Sequence, residues 1–292
     1  MNAKGVLFNS ITVNLPKNIV QLLFGSAVFC AVFGFAGINW TGLLLAIAGL
    51  SLAYSSVYMY NDIIDREEDA KDPDKRAWKL IANGSLSADG AMSAYVVLVI
   101  LGLLASFTVS WIFGAMVSAL LFLNFLHSSP GIRLKKRRLP TLANITIIEF
   151  IKYSLGWFAL TSEAASLPVM FILMFAVIYT AGYMAYKFGF HGGKIRDSKI
   201  MFSLLGVVVL MLFMGSFFYY GFPLVMVAMM ILSAAVFALK YAFWRNRKSF
   251  SDMLLVEFII LPILIASFIM LVVPEFAAAN AALVAALGSL TG

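Results

Sequence analysis

Twenty of the 21 Lys and Arg residues fall in every second gap between long apolar stretches, and that alternation limits the possible fold more than any other feature. The stretches lie at 19–37, 40–60, 89–108, 111–128, 140–161, 165–186, 200–220, 222–242 and 254–274. Each is close to the roughly 20 residues that a helix needs to cross a bilayer. Lys4 and Lys17 precede the first stretch. Arg66, Lys71, Lys75, Arg76 and Lys79 follow the second, and Arg133, Lys135, Lys136, Arg137 and Arg138 follow the fourth. Lys187, Lys194, Arg196 and Lys199 follow the sixth, and Lys240, Arg245, Arg247 and Lys248 the eighth. The opposite connections carry none. Loops rich in Lys and Arg stay on the cytoplasmic side. The pattern therefore predicts an all-α membrane protein of about nine transmembrane helices, with the N-terminus and charged loops cytoplasmic and the C-terminus outside.

Composition agrees. The 292 residues are 62% hydrophobic and only 12% charged, whereas soluble domains are about a quarter charged. The net charge of +7 is largely the charge of those loops, which excludes nucleic acid as a partner. The single cysteine, Cys30, excludes a disulfide framework and a cysteine metal site. The first residues are polar and the first apolar run reads as a retained helix, with no cleavable signal peptide. Residues 1–292 read as one domain, ending in an Ala-rich tail over 277–292 that is flexible or forms a short surface helix.

The chemistry concentrates in the longest charged connection, residues 61–88. Asp62, Asp65 and Asp69 are spaced i, i+3, i+7, and Asn61 precedes Asp65 and Asp69 by four and eight. On a helix these residues share one face. Carboxylates crowded on one face repel unless a cation lies among them, and hard oxygen ligands suit Mg²⁺. Lys75, Arg76 and Lys79 follow closely. Carboxylates for a metal beside cations for phosphate make a diphosphate site. The plainer alternative is a solvated loop whose acids and bases pair with one another.

Asn61-Asp62-x-x-Asp65-x-x-x-Asp69, followed by Pro73-x-Lys75-Arg76 and Gly84-x-Leu86-Ser87, resembles the first aspartate-rich motif of the UbiA superfamily of intramembrane prenyltransferases. Pro16-x-Asn18 resembles that family's Arg-Pro-x-Asn entrance to the first helix, with Leu15 where arginine is usual. Ser128-x-Pro130-x-x-Arg133-Leu134-Lys135 resembles its Tyr-Ser-x-Pro-Pro-x-Arg-Leu-Lys loop, with His127 for the tyrosine. The resemblance implies a helical bundle around a central cavity under a cytoplasmic cap. It implies Mg²⁺ on Asp62, Asp65 and Asp69, and a transfer of an isoprenoid chain from a polyprenyl diphosphate. Asn18, Asn61, Lys75, Arg76, Arg133 and Lys135 then contact substrate.

The family's second aspartate-rich motif is absent. Its Asp-x-x-Asp-x-x-Gly-Asp pattern falls on Lys187, Phe190, Gly193 and Lys194, and only Asp197 remains acidic nearby. A charged lysine cannot ligate Mg²⁺ but holds phosphate as a point charge. Three readings follow. Lys187, Lys194 and Arg196 replace the second metal cluster, with Lys187 joining Asp62 and Asp65 in catalysis; or the donor is phosphoribosyl diphosphate and the acceptor a polyprenyl phosphate; or the protein binds isoprenoid without catalysis. The third leaves the clustered carboxylates of the first motif unexplained.

Glu149 and Lys152 lie inside the fifth apolar stretch, three residues apart. Charges at that depth pair, face a cavity, or both. They form either a structural pair or the lining of a substrate cavity, with Glu149 orienting the acceptor. A secondary transporter would show internal repeats and interrupted charged helices. The sequence offers only this pair and no clear repeat.

Overall fold

The computed structural model describes residues 15–34, 38–184, 195–220 and 278. Their regular structure is all helical, with no strand among them: α1 (Leu15–Phe33), α2 (Trp40–Asp69), α3 (Pro73–Trp78), α4 (Ala88–Val109), α5 (Trp111–Ser128), a 3₁₀ turn (Leu134–Lys136), α6 (Arg138–Phe158), α7 (Val169–Met184) and α8 (Ile195–Tyr220). By length and composition α2, α4 and α5 are each able to span a membrane. The helices α1, α6, α7 and α8 coincide with four further apolar stretches. The stretches at 222–242 and 254–274, and the tail 277–292 apart from residue 278, lie outside the described residues.

One difference from the sequence reading matters. The connection does not begin at Asn61; α2 runs on for 30 residues and ends at Asp69. Its polar last two turns stay helical because cations from elsewhere in the chain neutralise the acids, as described below. The ordinary helical spacing of Asp62, Asp65 and Asp69 is thereby preserved.

The chain divides into two compact units. The first contains residues up to Leu23 and Ile38–Glu163. Its most extensive packing is α2 against α4, and small residues permit it. A Cβ on Gly102 would lie 2.5 Å from the Ala53 backbone nitrogen, and one on Gly49 would lie 2.8 Å from Ser106 Oγ. Gly49 and Ala53 on α2 thus meet Gly102 and Ser106 on α4, each pair four residues apart. This is the small-residue contact that lets membrane helices approach closely, where no hydrophobic force drives them together. The rest of α4 is largely exposed and apolar, including Val97, Ile100 and Leu104, as a helix facing lipid requires.

The second unit contains Phe24–Gly37 and the chain from Ala164 onward. There α7 packs on α8. Phe24 lies 4.6 Å from Phe175 and Phe171 lies 5.1 Å from Phe175, ring centre to ring centre. These are separations at which tilted aromatic pairs attract. Cys30 is buried and free.

Candidate functional site

The end of α2 is the foundation of the site. Asp69 closes the helix, where the backbone dipole already presents partial negative charge and disfavours an acid. It is also 2% exposed. The following segment supplies what it lacks. Asp72 accepts a hydrogen bond from the Lys75 backbone N–H at 3.3 Å and Pro73 opens α3, an arrangement that starts a helix efficiently. This short helix brings Lys75 Nζ to 3.0 Å from Asp69 Oδ1.

Lys79 does more. Its ammonium lies 2.6 Å from Asp69 Oδ2 and 2.7 Å from Asp62 Oδ1, bridging two carboxylates two turns apart on one helical face. Burial disfavours its charge, but Asp62 and Asp69 outweigh that effect and raise its pKa above the ordinary lysine value. The Lys75 pKa is raised as well, chiefly by its hydrogen bond to Asp69. A local apolar cluster fixes this geometry. Ile81 and Leu86 pack with Met59 and Ile63 of α2 and Ala91 of α4. Gly84, at φ +80°, makes the turn between Ile81 and Leu86, a conformation that glycine adopts at little cost.

The third aspartate is held from farther away. Asp65 Oδ1 accepts from Arg133 at 3.2 Å, and its Oδ2 accepts from Lys135. Arg133 also lies 3.7 Å from the exposed Glu68. Arg133 has φ +44°, a left-handed conformation that costs a non-glycine residue roughly 1–2 kcal/mol. Strain of this kind collects at functional sites. In total, three buried or half-buried aspartates meet four cations drawn from two connections, 71–87 and 129–137. The acid–base pairing that the sequence offered as its plainer alternative is the arrangement of this structure.

Mg²⁺ fits the donor chemistry. The candidate ligands are all oxygens, and Asn61 Oδ1 is buried at the head of the stripe without a hydrogen-bond partner. Among the described residues no three acidic, His or Cys side chains converge as a ready metal cage. Mg²⁺ does not need one, since it commonly takes one or two carboxylates and completes its shell with water and substrate phosphate. Loading it on these aspartates requires lysine and arginine to exchange their partners.

Other sequence candidates lie elsewhere. Arg76 does not join the carboxylates. It lines an open hollow of about 510 Å³ with Lys71, Pro73 and Asn83. Asn18 is fully buried and its amide lies 3.5 Å from the Tyr58 hydroxyl. Glu149 is in the interior and pairs with Lys152 Nζ at 2.7 Å. Lys187 and Lys194 lie outside the described residues, as does His191; Arg196 is in the first turn of α8, but its side chain is not described. Two participants went unassigned in the sequence. Lys79 stands in the sequence as one of several nearby cations, and Gln21, which donates to Glu149 Oε2, belongs to no motif. A lone amide inside an apolar stretch was its available signal.

No curated protein matches the sequence closely enough to extend these observations. Solved structures do share the fold. A UbiA homolog from Archaeoglobus fulgidus aligns with a TM-score of 0.64 at 13% identity, over 94% of this chain and 98% of that one. The same homolog bound to GPP and Mg²⁺ gives 0.60 at 13% identity, over 94% and 99%. Bound to DMAPP and Mg²⁺ it gives 0.60 at 13%, over 93% and 98%. The sequence pattern of the UbiA prenyltransferase family matches residues 22–256, four-fifths of the chain. This integral membrane protein therefore belongs to the UbiA prenyltransferase family.

Proposed function

We propose that the protein is a Mg²⁺-dependent transferase that moves an isoprenoid chain from a polyprenyl diphosphate to an acceptor. Its charged mouth faces the cytoplasm. The observation that carries this reading is the stripe of Asp62, Asp65 and Asp69, each held by cations that a phosphate could equally engage. Binding of GPP, DMAPP and Mg²⁺ by the Archaeoglobus fulgidus homolog supports it.

Asp62, Asp65 and Asp69, with the Asn61 amide oxygen, would hold Mg²⁺, which neutralises charge on the diphosphate. Lys79, Lys75, Arg133 and Lys135 then turn from the carboxylates to the diphosphate oxygens. Cations fixed around that group stabilise the negative charge that grows as the allylic C–O bond breaks and its electron pair leaves with the diphosphate. The acceptor supplies the electron pair for the new bond to the allylic carbon and gives up a proton.

The test offers purified protein radiolabelled geranylgeranyl diphosphate or phosphoribosyl diphosphate, with Mg²⁺ and a membrane lipid extract. Label should pass to lipid from the first donor and not the second. Passage from phosphoribosyl diphosphate alone would replace this reading with phosphoribosyl transfer to a polyprenyl phosphate. That alternative leans on Lys187 and Lys194. Asp62→Ala or Asp65→Ala should abolish transfer in protein that remains folded in detergent.

A further inference from the structure

The geometry points to a second binding site in the interior of the first unit, built on Gln21, Glu149 and Lys152, that takes an uncharged hydroxyl group. That this hydroxyl belongs to the acceptor rests on the transferase reading above.

Glu149 and Lys152 are each 2% exposed and Gln21 is 3% exposed. Both carboxylate oxygens of Glu149 are engaged. Oε1 accepts from Lys152 Nζ at 2.7 Å and Oε2 accepts from the Gln21 amide nitrogen. Because a carboxylate accepts only, that bond fixes which end of the Gln21 amide faces it. The other end, Oε1, is then buried with no hydrogen-bond partner. Buried polar atoms are nearly always satisfied, and an orphan needs a cause. Lys152 is also underused. It carries three N–H donors, one of which is spent on Glu149. Its ammonium sits 4.7 Å from the centre of the Tyr54 ring, and Asn124 holds the Tyr54 hydroxyl at 3.3 Å.

Gln21 and Lys152 are tied to the same carboxylate, and together they offer one spare acceptor and at least one spare donor. The ligand class follows by elimination. A carboxylate has no hydrogen for Gln21 Oε1, and it would bring a net negative charge to a pair whose charges already cancel. An ammonium would meet Lys152. A ketone or ether accepts from Lys152 but leaves Gln21 unsatisfied. A hydroxyl both donates and accepts, and it adds no charge at a depth where net charge is expensive; a buried water offers the same bonds, and water alone predicts no saturable binding of the probes below.

Probes matched in shape separate these classes: 4-ethylphenol, 4-ethylbenzoate and 4-ethylanisole. Binding of each to the full chain in lipid nanodiscs is measured by equilibrium dialysis against empty nanodiscs. The site predicts saturable binding of 4-ethylphenol about tenfold tighter than either other probe, the worth of one to two hydrogen bonds. Gln21→Leu should weaken it by about the same factor in protein that remains folded, with a lowered unfolding midpoint because Glu149 loses a donor. The double change Glu149→Gln with Lys152→Met, which removes the pair without orphaning a charge, should weaken it too. Equal binding of phenol and anisole would overturn the site, whatever the variants do. So would tighter benzoate, the absence of saturable binding, or a folded Gln21→Leu protein that binds as before. Geranylgeranyl diphosphate binding with Mg²⁺ is measured on the same sample. If it fails while the phenol binds, the transferase reading falls and the hydroxyl site stands. The reverse removes the hydroxyl site alone.

Discussion

Two ion-pair clusters in the first unit use the same chemistry to opposite ends. At the mouth of α2, three aspartates face four cations. Lys75 and Arg133 remain partly accessible, with side chains 46% and 27% exposed. In the interior, one glutamate faces one lysine, both sealed from solvent. The first cluster takes its cations from connections outside α2 and is partly open to solvent, so its pairs can be exchanged for metal and phosphate. The second is balanced and buried, so its pair holds, and only its unfilled hydrogen bonds remain available. Exchangeable ion pairs with access make a site for charged ligands. Charge balance with burial makes one for neutral ligands.

The comparison breaks most visibly at Lys152. Lys152→Met leaves Glu149 buried without a counter-charge, which costs roughly 3–5 kcal/mol. Chemical unfolding in detergent should register that loss, and adding Glu149→Gln should recover most of it. If the single change is neutral, the pair is not sealed. Next in size is Gly102→Leu. The new side chain meets the Ala53 backbone, which cannot yield as a side chain would, and overpacking of this kind costs about 1–3 kcal/mol. Since α2 carries the aspartate stripe, diphosphate binding should weaken together with the unfolding midpoint.

Lys79→Met sharpens the contrast. It takes one cation from each of two carboxylates while removing a phosphate contact. Mg²⁺ alone should bind more tightly, and geranylgeranyl diphosphate about tenfold more weakly, with a smaller loss of stability than at Lys152. Calorimetry on the purified protein reads both affinities. The smallest effect is that of salt. Raising NaCl from about 0.1 M to about 1 M shortens the screening length to roughly 3 Å. That should weaken diphosphate binding several-fold and leave 4-ethylphenol binding unaltered.

Much of this was legible in the chain. The apolar stretches gave the helices, and the spacing of Asp62, Asp65 and Asp69 placed them on one face because helical period is a local property. The nearby lysines could be paired with them on proximity alone. Partners separated by long stretches were hidden. Nothing local links Asp65 to Arg133 and Lys135, 68 and 70 residues on, or Glu149 to Gln21, 128 residues away. Those depend on which helices pack together. The left-handed turn at Arg133 was equally hidden, since the strained position falls on an arginine although a glycine, Gly131, stands two residues earlier. The continuation of α2 to Asp69 agrees with that helical spacing, while charge density alone sets the start of the connection too early, at residue 61.

The central claim is that the aspartate stripe exchanges its internal cations for Mg²⁺ and a diphosphate. It is tested most directly by titrating geranylgeranyl diphosphate into the purified protein with and without Mg²⁺, for the natural sequence and for Asp62→Ala. The account predicts binding that requires Mg²⁺ in the natural protein and disappears in the variant. Equal binding without Mg²⁺, or undiminished Mg²⁺-dependent binding by Asp62→Ala, would contradict it.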